Sequence, residues 1–239
     1  MCSRYMLVSP ADLLAKATGM RVFPLVNPRY NAAPTQNLPV VRSAGAGAGR
    51  ESAIMRWGLV PSWSREGMMT SVLINARAET VAQKPAFREA FRRRRCLVPA
   101  DGFFEWKHAG RDRIPWLFEP ADGEPITFAG LWETLSGGDA GTLESFTILT
   151  TTPNEVVAAF HNRMPVILPA TARDVWLEDD AAEDALMSLL VPVSANALRA
   201  RPVNPRLNSV ANDDPACIEP PPPGPAPGAQ LGFDFPPVD

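Results

Sequence analysis

Apolar residues recur along this chain mostly in short runs broken by Gly, Pro, Asn or Asp, the spacing of strands and turns rather than of long helices. The runs "SAIMRWGLVPSW" (52–63) and "SVLINARAET" (71–80) are strand-like and bounded by turn residues. "CLVPADGFFEWK", "RIPWLFE", "ITFAGLWETL" and "ESFTILTT" follow at short spacing, the pattern of an antiparallel sheet or barrel. Helical punctuation is confined to a few places. In "SPADLLAKATG", Ser9 reads as N-cap, Pro10 as the first helical residue, Asp12 as the third and Gly19 as the stop. "KPAFREAFRRRR" sets Phe87 and Phe91 four apart on one helical face. Thr152, Pro153 and Glu155 read as a capping box for "PNEVVAAF", a helix that ends at His161. "MPVILP" returns to strand, and "TARDVWLEDDAAEDALMSLL" reads as one or two acidic helices. Residues 20–50 read as loops around short strands such as "LPVVR". The expected fold is a single α+β domain over residues 2–218, with a mainly antiparallel, barrel-like β core and flanking helices. The proline and glycine density of residues 219–239 cannot pack and predicts a disordered tail.

A length of 239 residues with 46% hydrophobic and 21% charged residues suits an ordinary globule that buries a full core. No apolar run approaches the roughly 18 residues of a membrane helix, and the short apolar stretch near Arg4 and Asp12 does not read as a secretory signal. Cys2, Cys96 and Cys217 are odd in number and lack paired or metal-type spacing, so free thiols and a cytoplasmic setting are expected, with neither a disulfide framework nor a zinc site. The net charge of −3 is unevenly spread: residues 1–173 carry 20 basic against 15 acidic side chains, and residues 174–239 carry 3 against 11. Nearly all the basic residues are arginine, whose planar fork suits phosphate. A basic body with an acidic end is compatible with a nucleic-acid partner and equally with a solvated arginine-rich surface.

Strand alternation places Phe104 and Trp106 on one face of "GFFEWK" and Phe103 and Glu105 on the other. A carboxylate flanked by aromatics is suited to a proton shuttle, or else it pairs with a strand arginine. The same alternation aligns Asn75, Arg77 and Glu79, either lining a cleft with Arg77 on phosphate or pairing Arg77 with Glu79 on a solvated face. His108, in "KHAGRDR", reads as a surface residue in a turn. His161, in "FHNRMPVIL", is either a capping or core residue or the imidazole of a Cys–His arrangement.

Taken in order, "MC-R", "YNAAPTQ", "MRWGLVPSW", "INARAET", "KPAFREAFRRRRCLVPADGFFEWK", "FAGLWE", "FTILTT" and "HNRMPVIL" closely resemble the SOS-response-associated peptidase family, also described as abasic-site processing proteins, over residues 2–218. The resemblance implies that loss of Met1, by autoproteolysis or an aminopeptidase, exposes Cys2, whose amine and thiol react with the ring-opened aldehyde of an abasic site in single-stranded DNA. An amine and an aldehyde give an imine, and the adjacent thiol closes a five-membered thiazolidine on it. It further implies Cys2 as nucleophile, Glu105 as proton shuttle, His161 as acid and base in opening the sugar, and Asn75 as the group that orients the deoxyribose. Arg4, Arg77, Thr150 and Arg163 would contact the backbone, Trp63 would stack a base, and no metal or organic cofactor is implied. The chain departs from the family pattern at Ser3, which replaces a glycine beside the nucleophile, at Phe104, which replaces a tyrosine, and at Asn162, which stands where an acidic residue is common. Other readings are a Cys–His peptidase acting on other proteins, against which stand the terminal cysteine and the lack of a separate oxyanion motif, and a non-covalent reader of single-stranded or modified DNA. The chain is expected to act as a monomer at replication forks on the nucleoid. "QLGFDF", with Gln230, Leu231, Phe233 and Phe235, resembles the peptide by which bacterial replication and repair proteins dock on the sliding clamp.

Overall fold

The computed structural model describes residues 2–45, 47–64, 72–109, 112–136 and 141–223, with the backbone alone at 108, 109 and 112. In chain order the elements are β1 (Tyr5–Leu7), α1 (Ala11–Thr18), β2 (Arg29–Ala32), β3 (Asn37–Ser43), β4 (Arg50–Trp57), β5 (Asn75–Arg77), α2 (Arg88–Arg93), β6 (Arg95–Ala100), β7 (Gly102–Ala109) and β8 (Asp112–Pro120). They continue as β9 (Ile126–Ser136), β10 (Thr142–Thr151), α3 (Glu155–Ala158), β11 (Met164–Pro165), α4 (Arg173–Leu177), α5 (Glu183–Ser188) and β12 (Leu198–Pro202). Beyond residue 223, the tail and the clamp-like peptide lie outside the described residues. No described helix is long and apolar enough to cross a membrane.

The strand-rich pattern resolves into two sheets. β10, β4, β3, β6 and β9 pair in that order, and β9 pairs back onto β10, so the sheet closes into a barrel and leaves no free edge around the ring. Every pairing in the ring is antiparallel except β4 with β10, and β5 also runs parallel to β10. The second sheet, β12-β8-β7-β1-β2, is antiparallel throughout. The expected α+β fold with a mainly antiparallel, barrel-like core is therefore the observed one. Gly130 shows how tightly the ring closes: β9 is flanked there by both β6 and β10, and a Cβ would come 2.7 Å from Cys96 Sγ and 3.2 Å from the Thr147 carbonyl.

The run "CLVPADGFFEWK" is two strands, not one. β6 belongs to the barrel and β7 to the second sheet, and the chain changes sheets at Asp101, whose N–H donates to the Met6 carbonyl at 2.7 Å. Asp101 also explains why Ser9 is not the cap of α1. Its carboxylate accepts from the Val8 N–H (2.5 Å), the Ser9 N–H (2.9 Å) and the Ser9 hydroxyl, leaving extended Pro10 at the N-cap. Gly19 ends α1 in the left-handed conformation, as its position predicts. α3 is capped by Asn154, whose side-chain oxygen accepts from the Val157 N–H at 3.0 Å, rather than by Thr152. The acidic run forms two helices, α4 and α5. His108 lies within β7 opposite Arg113 rather than in a turn. Behind these elements, buried Arg95 donates to the carbonyls of Phe91, Arg92, Trp176 and Glu178, satisfying the C-terminal ends of α2 and α4 with one guanidinium.

β7 is buried on both faces, as its alternation predicts. Phe103 joins the main core, whereas Phe104 and Trp106 pack with Met6, Leu117, Val203, Leu207 and Cys217 in a smaller cluster. Two 3-10 turns, Pro205–Asn208 and Pro215–Ile218, cover that cluster. Trp57, at the end of β4, ties the barrel to what lies beyond it. Its indole N–H donates to the Ile74 carbonyl at 3.0 Å, and its ring lies 5.3 Å from Tyr5 and 6.3 Å from Phe146. Replacing Trp57 with Phe keeps an aromatic ring but removes the indole donor, leaving the Ile74 carbonyl with the Ile148 N–H at 3.2 Å alone and a space where the larger ring stood. The expected cost is about 1–3 kcal/mol, a fall in Tm of roughly 2–4 °C for each kcal/mol in a chain of this size, read by thermal unfolding.

Candidate functional site

Cys2 precedes β1 and is fully buried. β1 runs antiparallel to β7, with Tyr5 opposite Phe103, and the Phe104 N–H donates to the Arg4 carbonyl at 3.1 Å. Continued toward the start of the chain, that course brings residues 2 and 3 alongside Glu105. The Cys2 thiol makes a long contact of 3.9 Å with the Arg4 carbonyl. Burial first, and then the charge of Glu105, push its pKa far above that of an ordinary thiol. Glu105 is itself 4% exposed, and burial raises its carboxyl pKa as well.

β5 supplies the next contact. The Asn75 side-chain N–H donates to the Cys2 carbonyl at 2.8 Å. Its other side-chain atom, Oδ1, is buried with no hydrogen bond among the described residues, an acceptor poised for a donor that a ligand could bring. Alternation holds along β5: Ala76 is buried between half-buried Asn75 and exposed Arg77. The row ends there, because Ala78–Thr80 winds into a 3-10 turn and carries Glu79 away. Glu79 does not pair with Arg77. It accepts from Arg163 through both oxygens, at 2.6 and 3.0 Å, and this pairing holds its carboxyl below the ordinary range. Arg77 makes no salt bridge among the described residues, leaving its charge available.

The end of β10 gathers these pieces. Its register sets Ile148 opposite Asn75, Thr150 opposite Arg77 on one edge and Pro165 on the other, and Thr151 opposite Met164. Thr150 is fully buried, with its hydroxyl donating to the Ala76 carbonyl at 3.4 Å, and it meets the site through Arg163, which donates to its carbonyl. His161 follows α3 and is half-buried; its Nδ1 accepts from the Arg163 N–H at 3.0 Å. That bond leaves the hydrogen of the neutral ring on Nε2. Burial first, with the nearby positive charge of Arg163, lowers the imidazole pKa. Asn162 is exposed.

Arg4 is less free than its sequence position suggests. It donates to Asn31 Oδ1 at 2.8 Å and to the Leu207 carbonyl at 3.3 Å. Asn31, which sequence reasoning missed, is fully buried and donates to the carbonyls of Leu207, Ser209 and Asn212, pinning the C-terminal segment beneath β2. Ser3, Arg4, Trp106, Arg113 and Asn208 border a cavity of about 480 Å³, where the Arg113 guanidinium lies 5.2 Å from the Trp106 ring centre. Arg113 was also missed, since nothing in "RDRIPW" distinguishes it from a solvated charge. Trp63 is 67% exposed, an indole face open to stacking. Thr35, in the turn before β3, holds φ at 72°, an unfavourable value for a β-branched residue, and its N–H donates to the Trp57 carbonyl at 2.8 Å. Among the described residues, no group of three His, Cys, Asp or Glu side chains could hold a metal ion.

The chain matches the family model described as SOS response associated peptidase (SRAP) over residues 1–210. It is 36% identical to Abasic site processing protein YoqW of Bacillus subtilis (strain 168), over 92% of this chain and 99% of that one. It is 32% identical to Abasic site processing protein HMCES of Gallus gallus, over 81% of this chain and 66% of that one. In fold it is similar to a protein from Bacteroides thetaiotaomicron, with a TM-score of 0.80 and 26% identity over 92% of this chain and 99% of that one. With nearly its whole length matched in sequence and in fold, the protein belongs to the SOS response associated peptidase family.

Proposed function

We propose that this protein processes abasic sites in single-stranded DNA, forming a covalent bond between Cys2 and the ring-opened sugar that shields the lesion. The observation that carries this reading is the convergence on Cys2: the Asn75 amide holds its carbonyl, and Glu105 acts on its thiol from the adjacent strand. Its relatives named abasic site processing proteins supply the substrate class.

Removal of Met1 frees the Cys2 α-amine, whose ordinary pKa of about 7.7–8.0 leaves it partly neutral near pH 7. The amine adds to the C1′ aldehyde, and loss of one water gives the imine. The thiol then adds across the C=N bond: sulfur bonds to carbon, the thiol proton passes to nitrogen, and a thiazolidine forms. One water leaves in all. Glu105, with its raised pKa, takes a proton from the amine nitrogen as it adds to the aldehyde and returns it to the departing hydroxyl. His161 presents Nε2–H to the sugar ring oxygen as the ring opens, and the free Asn75 Oδ1 accepts from a sugar hydroxyl. Arg77, Trp63, Arg4 and Arg163 hold the flanking backbone and bases.

A buried thiol with a strongly raised pKa is a poor thiolate nucleophile, which weighs against a Cys–His peptidase acting on other proteins. Intact mass spectrometry with an oligonucleotide carrying one abasic site tests the reading. The expected product is Met1-free protein plus oligonucleotide minus one water, absent in Cys2→Ala and with undamaged DNA. DNA bound equally well by Cys2→Ala, with no adduct from either protein, would leave a non-covalent reader.

Glu105 makes two further outcomes checkable. Its ionised form is the base, so the logarithm of the crosslinking rate should steepen from slope 1 to slope 2 as pH falls through its raised pKa, above 4.5. Glu105→Gln should be slower by about 10²–10⁴-fold and retain slope 1. Between the ordinary carboxyl pKa and the raised value the folded state holds the extra proton. Stability therefore falls as pH rises through that window, and Glu105→Gln should unfold at a higher Tm than the parent at pH 7.

The tail peptide would tether this chemistry to replication forks. A labelled peptide of residues 229–237 is expected to bind a bacterial sliding clamp in fluorescence polarisation and to lose binding when Leu231 and Phe233 become Ala; no binding by the parent peptide would end the tether reading.

A further inference from the structure

Two sizeable cavities lie away from Cys2 and meet at Arg173. One, of about 670 Å³, is walled largely by prolines and aliphatic side chains from Pro120 to Ile126, Ile167 to Pro169 and Leu189 to Leu198. The other, of about 910 Å³, lies between the end of α1, the glycine turn 47–49 and the start of α4. Lys16, Arg21, Arg50 and Arg173 line this second cleft, against the single carboxylate of Asp174. The acidic run Glu178, Asp179 and Asp180 borders an adjoining groove that shares Gly47, Gly49, Arg50 and Asp174 with the cleft. β4 separates the cleft from the Cys2 site: Arg50 begins the strand, and Trp57, beside Ile74, ends it, roughly 23 Å away at about 3.3 Å per residue.

The four cations are not equivalent. Lys16 pairs with Glu124 on the surface. Arg50 is built in: its guanidinium donates to the Thr18 carbonyl at the end of α1 and to Asp174, and its side chain is 14% exposed. Gly19 makes this possible, because a Cβ there would fall 2.1 Å from Arg50 Nη1. Arg173 is different. It is half-buried, its Nε–H donates to the Thr127 hydroxyl at 3.2 Å, and it makes no salt bridge among the described residues. Burial first, and then the charge of Arg50, lower its pKa; both guanidinium groups line the cleft, and the Asp174 carboxylate in its lining is paired with Arg50. Arg21 is exposed at the rim and also lacks a salt bridge among the described residues. The facing wall is the glycine turn, where a Cβ at Gly47 or Gly49 would meet nothing within 4 Å, so the cleft stays open to a ligand.

We infer that this cleft binds a phosphate-bearing anion, with Arg173 and Arg21 as the recognising groups and Arg50 as the fixed cation of its wall. Forked guanidinium donors match phosphate oxygens, and a bound anion relieves the uncompensated charge at Arg173. The phosphate could come from a free phosphate compound or from the backbone of a DNA strand running past the Cys2 site.

The test titrates the full-length protein with pyrophosphate by calorimetry and, separately, with an undamaged 30-nucleotide single strand by fluorescence anisotropy. Arg173→Gln should weaken pyrophosphate binding tenfold or more, Arg21→Gln, at the exposed rim, several-fold, and Asp174→Asn should strengthen it. If DNA is the source, Arg173→Gln also weakens binding of the long strand and lowers the slope of log affinity against log salt by about 1; if free phosphate is the source, only the pyrophosphate arm responds. Crosslinking of a six-nucleotide abasic strand, read in parallel, should be unchanged in all three variants, which separates failure at the cleft from failure of the Cys2 chemistry. Parent-like binding of both probes by all three variants, or no pyrophosphate binding and no Arg173-dependent DNA binding, overturns the inference.

Discussion

The packing of Trp57 is the interaction on which the site depends. A fully buried indole at the end of β4 must find a partner for its N–H, and it finds the Ile74 carbonyl, one residue before Asn75. Its backbone fixes the turn before β3 from both sides, accepting from the Thr35 N–H and donating to the Gln36 carbonyl. Its ring packs on Tyr5, three residues beyond Cys2, and on Phe146 in β10. One residue thus couples the barrel to β1 and to β5, the two strands whose neighbouring residues meet at the Cys2 carbonyl.

β10 completes that coupling through its two edges. One edge carries β4 at Ser145 and Phe146 and then β5 from Ile148 to Thr150; the other carries β9 and then β11. Each short strand finishes the ladder where a longer one leaves it, so the unpaired backbone at the end of the barrel is spent on holding Asn75, Arg77 and the residues after His161. Short strands of two or three residues have little stability of their own. Here they borrow it from the ring.

The same economy makes the site electrostatically strained. Glu105 and the Cys2 thiol are both withdrawn from water, and the charge of Glu105 adds to the cost that burial already sets on ionising the thiol. A thiol kept protonated and buried is protected from adventitious oxidation. Arg163 shows a parallel compromise: its charge is held in a bidentate pair with Glu79, so its orientation is set before any ligand arrives.

Local pattern alone determined much of this protein. Alternation in "GFFEWK" put Glu105 on the face opposite Phe104 and Trp106, and alternation in "INAR" separated Asn75 and Arg77 from Ala76, because strand periodicity is a property of the backbone. Gly19 marked the end of α1 because few other residues hold a positive φ without strain. What the sequence could not show depended on partners distant along the chain. Ser9 is drawn away from the cap of α1 by its hydrogen bonds to Asp101, 92 residues away. Glu79 left the row of Asn75 and Arg77 and paired with Arg163, 84 residues away, because a 3-10 turn replaced the strand. Asn31 carried no signal, since the carbonyls it satisfies lie in a segment about 180 residues later. Closure of the barrel, the parallel pairing of β4 with β10 and the meeting of Arg50 with Arg173 are of the same kind. Periodicity fixes which way a side chain points, but only the folded chain decides what it meets.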